Sequence, residues 1–296
     1  MVREVRDALI VAGGLGTRML PASAAVAKEI LPLVDIPALY HLVWEAVAAG
    51  CDRIHLILSP NKLGLAKTLK PSKEMVDKMR SARPDLPPSA FEPLPKGVEI
   101  FIAVQKTARG LGDAISCALS DVEGAFLVLL GDNLLMAKHP NAEDVGVDNA
   151  SLASTRLVAS FQRTGRPCAG MKQVAEKDVS NYGVVALSGE KIVNLVEKPS
   201  LEDAPSRWVL CGRYLFTPDT AELLTEYDLA SHGEMQTIAI QRYWMAQDGG
   251  LIGVDLDDHQ WYDSGSPLSW LIAQIDHALR RDDLADGLRE WFDGRL

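Results

Sequence analysis

The stretch ALIVAGGLGTRMLPASAAVAKEILPLVD, residues 8–35, decides how this chain of 296 residues is interpreted. The apolar run DALIVAG at residues 7–13 is typical of a buried β-strand. Gly13, Gly14 and Gly16 end that run, and glycine lets backbone amides approach a phosphate without interference from a Cβ atom. The stretch therefore predicts a phosphate-binding turn at the end of a strand.

This turn fits neither of the two common phosphate loops. A Walker loop requires G-x-x-x-x-G-K-[ST], a pattern that the sequence lacks. A dinucleotide-binding loop requires a third glycine where Met19 stands, which argues against an NAD-dependent dehydrogenase. Arg18 and Lys28 instead accompany the glycines in a chain of net charge -10. Arg grips a phosphate with two donors and Lys supplies a compact charge, so the pair indicates a nucleotide site.

The order of predicted elements indicates an α/β fold. Helical spacing at residues 38–50, ending at a glycine, separates the first strand from a strand-like run at 53–59. Strand, helix and strand in this order are typical of a parallel sheet. The order continues with a strand at 98–105, a helix at 112–122 and a strand at 125–132. The last strand is apolar on both faces, as expected in a sheet covered by helices on both sides.

The rest of the chain predicts smaller elements. Residues 61–97 suggest a peripheral helix and then a proline-rich surface loop. Beyond residue 150, short β-like runs alternate with turn residues, and helical spacing returns at 220–227 and 235–247. The amphipathic tail at 268–292 predicts a helix.

Composition and charge narrow the class of protein. The acidic balance argues against nonspecific nucleic-acid binding, which needs a basic surface. No window approaches the ~18 apolar residues of a membrane span, and the N-terminus lacks the features of a secretory signal, so we expect a cytoplasmic protein. The four cysteines have no CxxC spacing, which favours buried free thiols over a zinc site or disulfides.

The opening stretch resembles the G-x-G-T-R-x-x-P motif of sugar-1-phosphate nucleotidylyltransferases, and its MLP and KE-x-LPLVD variants resemble the bacterial UTP–glucose-1-phosphate uridylyltransferases. The resemblance implies a Rossmann-like nucleotidyltransferase core: a mixed, mainly parallel sheet flanked by helices, with a smaller β-rich sugar-binding part. It also implies transfer of a nucleotidyl group to a sugar-1-phosphate, with release of pyrophosphate and dependence on Mg²⁺. The nucleotide that it favours is UTP, and the sugar phosphate that it favours is glucose-1-phosphate.

The resemblance assigns roles to matching residues of the nucleotide side. Arg18 would hold the departing pyrophosphate and Lys28 the reacting α-phosphate. Asp132, directly after a buried strand, and Asp263 in WYDSGSP would hold Mg²⁺ at the sheet edge where such folds bind ligands. The residues that would contact the nucleotide are Ala12, Gly13, Gly14, Gly16 and Thr17 in the turn, with Gln105 and Gly110 in VQKTARGLGDAI at 104–115.

Four further segments, SNYGVV, LVEKP, CGRYLF and GEMQT, resemble sugar-phosphate motifs of the family. Taken singly, a glutamine at a strand end or an EKP turn is more typical of an ordinary surface residue or turn. The residues that the resemblance assigns to the sugar phosphate are Gly183, Glu197, Lys198, Gly212 and Glu234. We therefore expect one domain with a nucleotide-binding half (1–150), a sugar-phosphate half (151–267) and a helical tail (268–296), assembled as a homo-oligomer, either dimer or tetramer.

Some residues depart from the family pattern. Ser23 and Ala24 replace a Thr-Lys pair, Ala27 replaces a proline, and Arg109 and Asp113 replace a lysine and a histidine. These departures keep two alternatives open: a thymidylyl- or cytidylyltransferase acting on another hexose-1-phosphate, and a non-catalytic nucleotide or sugar-phosphate sensor.

Both substrates of a nucleotidyl transfer are already ionised at neutral pH, so catalysis would rest on positioning and charge neutralisation, without a general base or a covalent intermediate.

Overall fold

The computed structural model describes residues 4–226 and 234–295. The strands are β1 (Asp7–Val11), β2 (Pro32–Leu33), β3 (Ile36–Pro37), β4 (Arg53–Leu58), β5 (Glu99–Val104), β6 (Phe126–Leu130), β7 (Asn133–Met136), β8 (Cys168–Gln173), β9 (Gly183–Ser188), β10 (Lys191–Glu197), β11 (Trp208–Phe216), β12 (Leu251–Asp255) and β13 (Gln260–Asp263). The helices are α1 (Ala22–Ala25), α2 (Ala38–Ala48), α3 (Leu65–Leu69), α4 (Lys73–Ala82), α5 (Pro88–Phe91), α6 (Leu111–Ser116), α7 (Ala153–Thr164), α8 (Thr220–Thr225), α9 (Ile238–Ala246), α10 (Pro267–Leu279) and α11 (Ala285–Asp293).

A nine-stranded mixed sheet forms the centre, in the order β5-β4-β1-β6-β11-β8-β12-β10-β9. The first four strands pair in parallel, as the alternating pattern predicts. Strand β11 then runs antiparallel to both β6 and β8, while β12 pairs in parallel with β8 and antiparallel with β10. The expected mixed sheet is thereby confirmed. Because β6 pairs with β11, the sheet continues across the expected boundary at residue 150.

Strand β1 shows why the sheet is covered on both sides. Ala8 and Ile10 belong to one hydrophobic cluster and Leu9 to another, and all three are fully buried. Successive side chains of a strand point to opposite faces, so an uninterrupted apolar run serves two cores at once. The strand thus carries the glycine turn out of the most buried part of the sheet.

Several sequence predictions need correction. Helix α6 is shorter than the predicted 112–122, and a 3-10 turn at Leu119–Asp121 follows it. The tail predicted as one helix at 268–292 forms two, α10 and α11. Segment 61–97 carries three short helices, α3 to α5, before β5. Helix α7 was not predicted at all, and part of the helix predicted at 220–227 lies outside the described residues.

Buried imidazoles anchor helix α10 to the body of the protein. His277 Nδ1 lies 3.0 Å from His139 Nδ1, and the ring of His41 lies beside that of His277. Burial lowers the pKa of His41 and of His139 to about 4, and that of His277 to about 3. These three rings are therefore neutral near pH 7 and serve packing.

The four cysteines are free, as predicted, and Cys51, Cys168 and Cys211 are buried, whereas Cys117 is only partly buried. Burial raises the pKa of the Cys168 and Cys211 thiols to about 12. None of the helices in the described ranges is long and apolar enough to cross a membrane.

Candidate active site

The glycine turn is closed by contacts to its carbonyl oxygens. Gly16 has a φ of 67°, a conformation that glycine adopts without strain. The Ser23 hydroxyl donates to Gly16 O at 2.8 Å, so the serine that departs from the family pattern helps to hold the turn. A Cβ atom at Gly16 would lie 3.3 Å from that of Ser23 and 3.5 Å from Lys28 Cδ. The small residue therefore lets the Lys28 side chain pass close to the turn.

A buried ion pair supports the turn from below. Lys62 Nζ contacts both carboxylate oxygens of Glu29 at 2.8–2.9 Å and donates to Ala12 O at 3.1 Å and Gly14 O at 2.5 Å. Burial raises the pKa of Glu29, and the Lys62 ammonium opposes that rise. Sequence reasoning missed this pair, because a lysine in a loop cannot be told from a solvated one without its partner.

Lys28 and Asp132 meet directly although 104 residues separate them in the chain. Lys28 Nζ donates to Asp132 Oδ2 at 2.7 Å, and the lysine is 8% exposed. Asp132 lies two residues after β6, at the carboxyl end of the parallel strands. The predicted phosphate cation and the predicted metal carboxylate therefore lie at the same edge of the sheet.

The short pairing of β7 with β13 brings the second carboxylate to Asp132. Asp263 pairs with Asn133 in that ladder, and Ser264 N donates to Asp132 O at 2.9 Å. Burial raises the pKa of Asp263, with a further rise from the Asp132 charge. The Gly265 amide at 2.6 Å opposes that rise, as do the Arg18 and Lys28 charges.

Asn133 fixes the Asp132 carboxylate, a role that the sequence did not reveal. Trp261 Nε1 donates to Asn133 Oδ1 at 2.7 Å, which leaves the amide nitrogen to donate to Asp132 Oδ1 at 3.1 Å. Each oxygen of Asp132 thus has its own partner, Asn133 on one side and Lys28 on the other. These two hydrogen bonds fix the orientation of the Asp132 carboxylate.

Two adjoining cavities open around Asp132, which lines both. The larger, about 690 Å³, is lined by most residues predicted for the metal and the sugar phosphate, namely Asp132, Gly183, Glu197, Lys198, Gly212 and Asp263. Arg18, predicted to hold the departing pyrophosphate, lines the same cavity. The smaller, about 330 Å³, contains residues predicted for the nucleotide and catalysis, namely Gly14, Lys28, Gln105 and Gly110. Glu234, predicted as a sugar contact, lines this smaller cavity instead.

Other turn residues lie near the cavities rather than along their walls. A Cβ atom at Gly13 would lie 3.0 Å from Gln105 Oε1, and Ala12 is buried at the end of β1. Thr17 begins a 3-10 turn, Thr17–Met19, that leaves Arg18 exposed.

The predicted sugar-phosphate residues that line the larger cavity lie on β9, β10 and β11 or directly follow β10. At Gly183 a Cβ atom would lie 3.0 Å from Glu197 Oε2, and at Gly212, where φ is 75°, it would lie 2.9 Å from Asn133 Nδ2. Lys198 has a φ of 45°, which is uncommon for a residue other than glycine. Its amide donates to Tyr182 O at 3.0 Å. Strained residues cluster at ligand sites, so this backbone supports a binding role for Lys198.

Asp132 and Asp263, whose carboxylates lie where the two cavities adjoin, fit a divalent cation that is bound together with a substrate. Within the described ranges no group of three or more His, Cys, Asp or Glu side chains could hold a metal by itself. Mg²⁺ is usually bound by one or two carboxylates, with waters and substrate phosphates as further ligands. Asp132 and Asp263 match that donor set, since both line the larger cavity and their charges interact.

Comparison with known proteins places this geometry in a family. A model of the nucleotidyl transferase family matches residues 7–278, and the chain belongs to this family. It is 31% identical to the UTP–glucose-1-phosphate uridylyltransferase of Bacillus subtilis over 100% of this chain and 98% of that protein.

Solved structures agree with the sequence comparison. The UTP-bound UGPase from Acinetobacter baumannii superposes with a TM-score of 0.82 at 25% identity, over 99% of this chain and 100% of that one. A UDP-glucose pyrophosphorylase complexed with UDP-glucose superposes with a TM-score of 0.76 at 27% identity, over 94% of this chain and 100% of that one.

Proposed function

We propose that the protein transfers a uridylyl group from UTP to glucose-1-phosphate, forming UDP-glucose and releasing pyrophosphate. The observation that carries the proposal is the meeting of Lys28, Asp132 and Asp263 where the two cavities adjoin. The proposal is further supported by full-length similarity to a UTP–glucose-1-phosphate uridylyltransferase and by the fold shared with a UDP-glucose complex.

The proposed reaction is an in-line displacement. An oxygen of the sugar phosphate attacks the α-phosphorus of the nucleotide, and the bond from that phosphorus to the β-phosphate oxygen breaks. Both reactants are anions, so the site must hold them together against their repulsion. Lys28 faces the smaller cavity and would hold the α-phosphate, whereas Arg18 and Lys198 in the larger cavity would hold pyrophosphate and sugar phosphate.

Asp132 and Asp263 are the residues that would hold Mg²⁺. When bound, the cation would supply charge neutralisation on the phosphate oxygens. Asn133 and Gly265 would keep the two carboxylates in place through the hydrogen bonds described above. Turn amides from Gly13 to Thr17 would face the triphosphate, since the carbonyl oxygens of Gly14 and Gly16 are engaged by protein groups.

Pyrophosphate release tests the proposed function. The purified protein is assayed with UTP, dTTP, CTP and ATP against several hexose-1-phosphates, with Mg²⁺ and with EDTA. We expect the highest kcat/KM with UTP and glucose-1-phosphate, and no turnover in EDTA. Preference for dTTP or CTP would identify the alternative transferases, and UTP binding without turnover would identify the sensor.

Lys198→Ala is expected to raise KM for the sugar phosphate by about 10- to 100-fold with kcat changed less. The reason is that the strained backbone presents this exposed lysine to the larger cavity, where it would bind phosphate in the ground state. Initial rates at varied glucose-1-phosphate measure the effect. The control is Lys191→Ala at the start of β10, the strand that Lys198 follows. A variant with unaltered KM would remove Lys198 from the sugar-phosphate site.

We also propose that the protein is a homo-oligomer joined through α10. Leu268, Leu271 and Ile272 are 56–68% exposed and lie on one face of that helix. Leu271→Asp is expected to lower the molecular mass measured by light scattering to that of a monomer, whereas Met75→Asp on α4 is the control. A wild-type protein that is monomeric at micromolar concentration would contradict this interface.

The cytoplasmic location stays a prediction of the sequence.

A further inference from the structure

Gln105 is held in one orientation at the end of β5. Its amide nitrogen donates to Asp113 Oδ2 at 2.8 Å and to Gly110 O at 3.2 Å. The residue is 7% exposed and lines the smaller cavity. An amide normally has two interchangeable orientations, and the partners of its nitrogen decide between them. Here both hydrogens of that nitrogen point away from the turn, toward Asp113 and Gly110.

Asp113 cannot exchange roles with its partners. Arg109 donates to Asp113 Oδ1 through Nε at 3.0 Å and Nη2 at 2.7 Å, so each carboxylate oxygen has a separate donor. A carboxylate only accepts, and therefore the group facing it must be the amide nitrogen of Gln105. Asp113 is 4% exposed and stands on α6, where the family pattern has a histidine.

The Gln105 carbonyl oxygen consequently faces the glycine turn. A Cβ atom at Gly13 would lie only 3.0 Å from Oε1. Around the same cavity, a Cβ atom at Gly110 would lie 2.5 Å from Met235 O, so glycine is required there and the segment cannot shift outward freely. The cavity therefore presents an acceptor at a fixed position.

We propose that Asp113 is a positioning residue that makes the site select pyrimidines carrying a hydrogen on N3. Uracil and thymine have an N3–H that donates to Gln105 Oε1, whereas cytosine has a lone pair at N3 that would face the same oxygen. The inference rests on the proposed function and on the nucleotide contact that the family resemblance implies for Gln105. An acceptor left facing another acceptor in a buried site disfavours CTP by about 10²-fold relative to UTP.

Asp113→Asn tests the proposal with a nearly isosteric change. Arg109 requires an acceptor, so the new side chain keeps its oxygen toward the guanidinium and turns its amide nitrogen toward Gln105. That nitrogen favours a flipped Gln105, whose own nitrogen then faces the base and suits cytosine. Only the longer hydrogen bond to Gly110 O, at 3.2 Å, still favours the wild-type orientation. We expect the ratio of kcat/KM for UTP to that for CTP to fall at least about tenfold. Asp113→Leu, which removes the acceptor altogether, should also lower the ratio.

The control is Asp121→Asn, an exposed acid in the 3-10 turn after α6, which should keep the wild-type ratio. Loss of stability would lower both rates without changing their ratio, so thermal unfolding of each variant is measured alongside. A ratio unchanged in both Asp113 variants, or a wild-type protein that prefers CTP, would overturn the inference.

Calorimetric titration with UTP and CTP separates this inference from the proposed function. If the wild type binds UTP over CTP and Asp113→Asn loses that preference, the inference stands even where no sugar nucleotide forms. If the wild type transfers uridylyl groups but Asp113→Asn binds both nucleotides with the wild-type preference, the proposed function stands and the inference fails.

Discussion

Lys28→Ala is expected to lower kcat by about 10²- to 10³-fold, the effect typical of losing one electrostatic stabiliser of a transition state. Lys28 is buried, its ammonium lies 2.7 Å from Asp132, and it faces the smaller cavity. It is therefore placed where the charge of a reacting phosphate would develop. A buried charge that needs no reorganisation acts more strongly than the same charge in water.

Single-turnover rates of pyrophosphate formation measure the effect on the chemical step separately from product release. Lys67→Ala, on the exposed side of α3, is the control for loss of a lysine charge. Thermal unfolding of both variants shows whether the fold survives, since Asp132 loses a partner when Lys28 is removed. Full turnover by a folded Lys28→Ala protein would contradict the catalytic assignment.

Arg213→Met is expected to lower the free energy of unfolding by about 3–5 kcal/mol, because it leaves a buried carboxylate without its cation. Arg213 on β11 is fully buried and contacts both oxygens of Glu45 on α2, at 2.8 and 2.9 Å. It also donates to Asn133 O at 2.8 Å, and Glu45 accepts from Ser154 on α7. Arg213 thus links β11 to α2 and to β7, and Glu45 extends this network to α7.

Urea unfolding gives the magnitude, and a second variant identifies the cause. In Glu45→Met/Arg213→Met no lone charge remains buried, so much of the lost stability should return. Arg207→Met, just before β11 and exposed, should change the stability little. If the single and double Arg213 variants are equally unstable, the unpaired Glu45 charge is not the cause.

The sequence predicted those parts of the fold whose signals are local. Strand β1 and its glycine turn follow from an apolar run and three glycines, and α2 stops before Gly50, whose φ is 98°. Helix α7 also has a local signal: Ala153, Leu157 and Phe161 are buried at a spacing of four residues. Gly165, with a φ of 69°, then marks its end.

The candidate site was predictable only as far as the family resemblance extended. The resemblance gave Lys28, Asp132 and Asp263 as candidates, and in the structure these residues lie at one edge of the sheet. Asn133, which donates to Asp132, and Arg213, which donates to Asn133 O, have partners from distant segments. A polar residue's partner is set by how strands and helices meet in space, and no local spacing encodes it.

The Lys62–Glu29 pair has a consequence for nucleotide affinity. By donating to Ala12 O and Gly14 O, the Lys62 ammonium confines the peptide groups of the turn. In the proposed function a triphosphate would meet a turn that is already ordered, so little backbone entropy would be lost on binding. Lys62 would thus favour nucleotide binding indirectly, because folding has already ordered the backbone that the nucleotide would otherwise have to order.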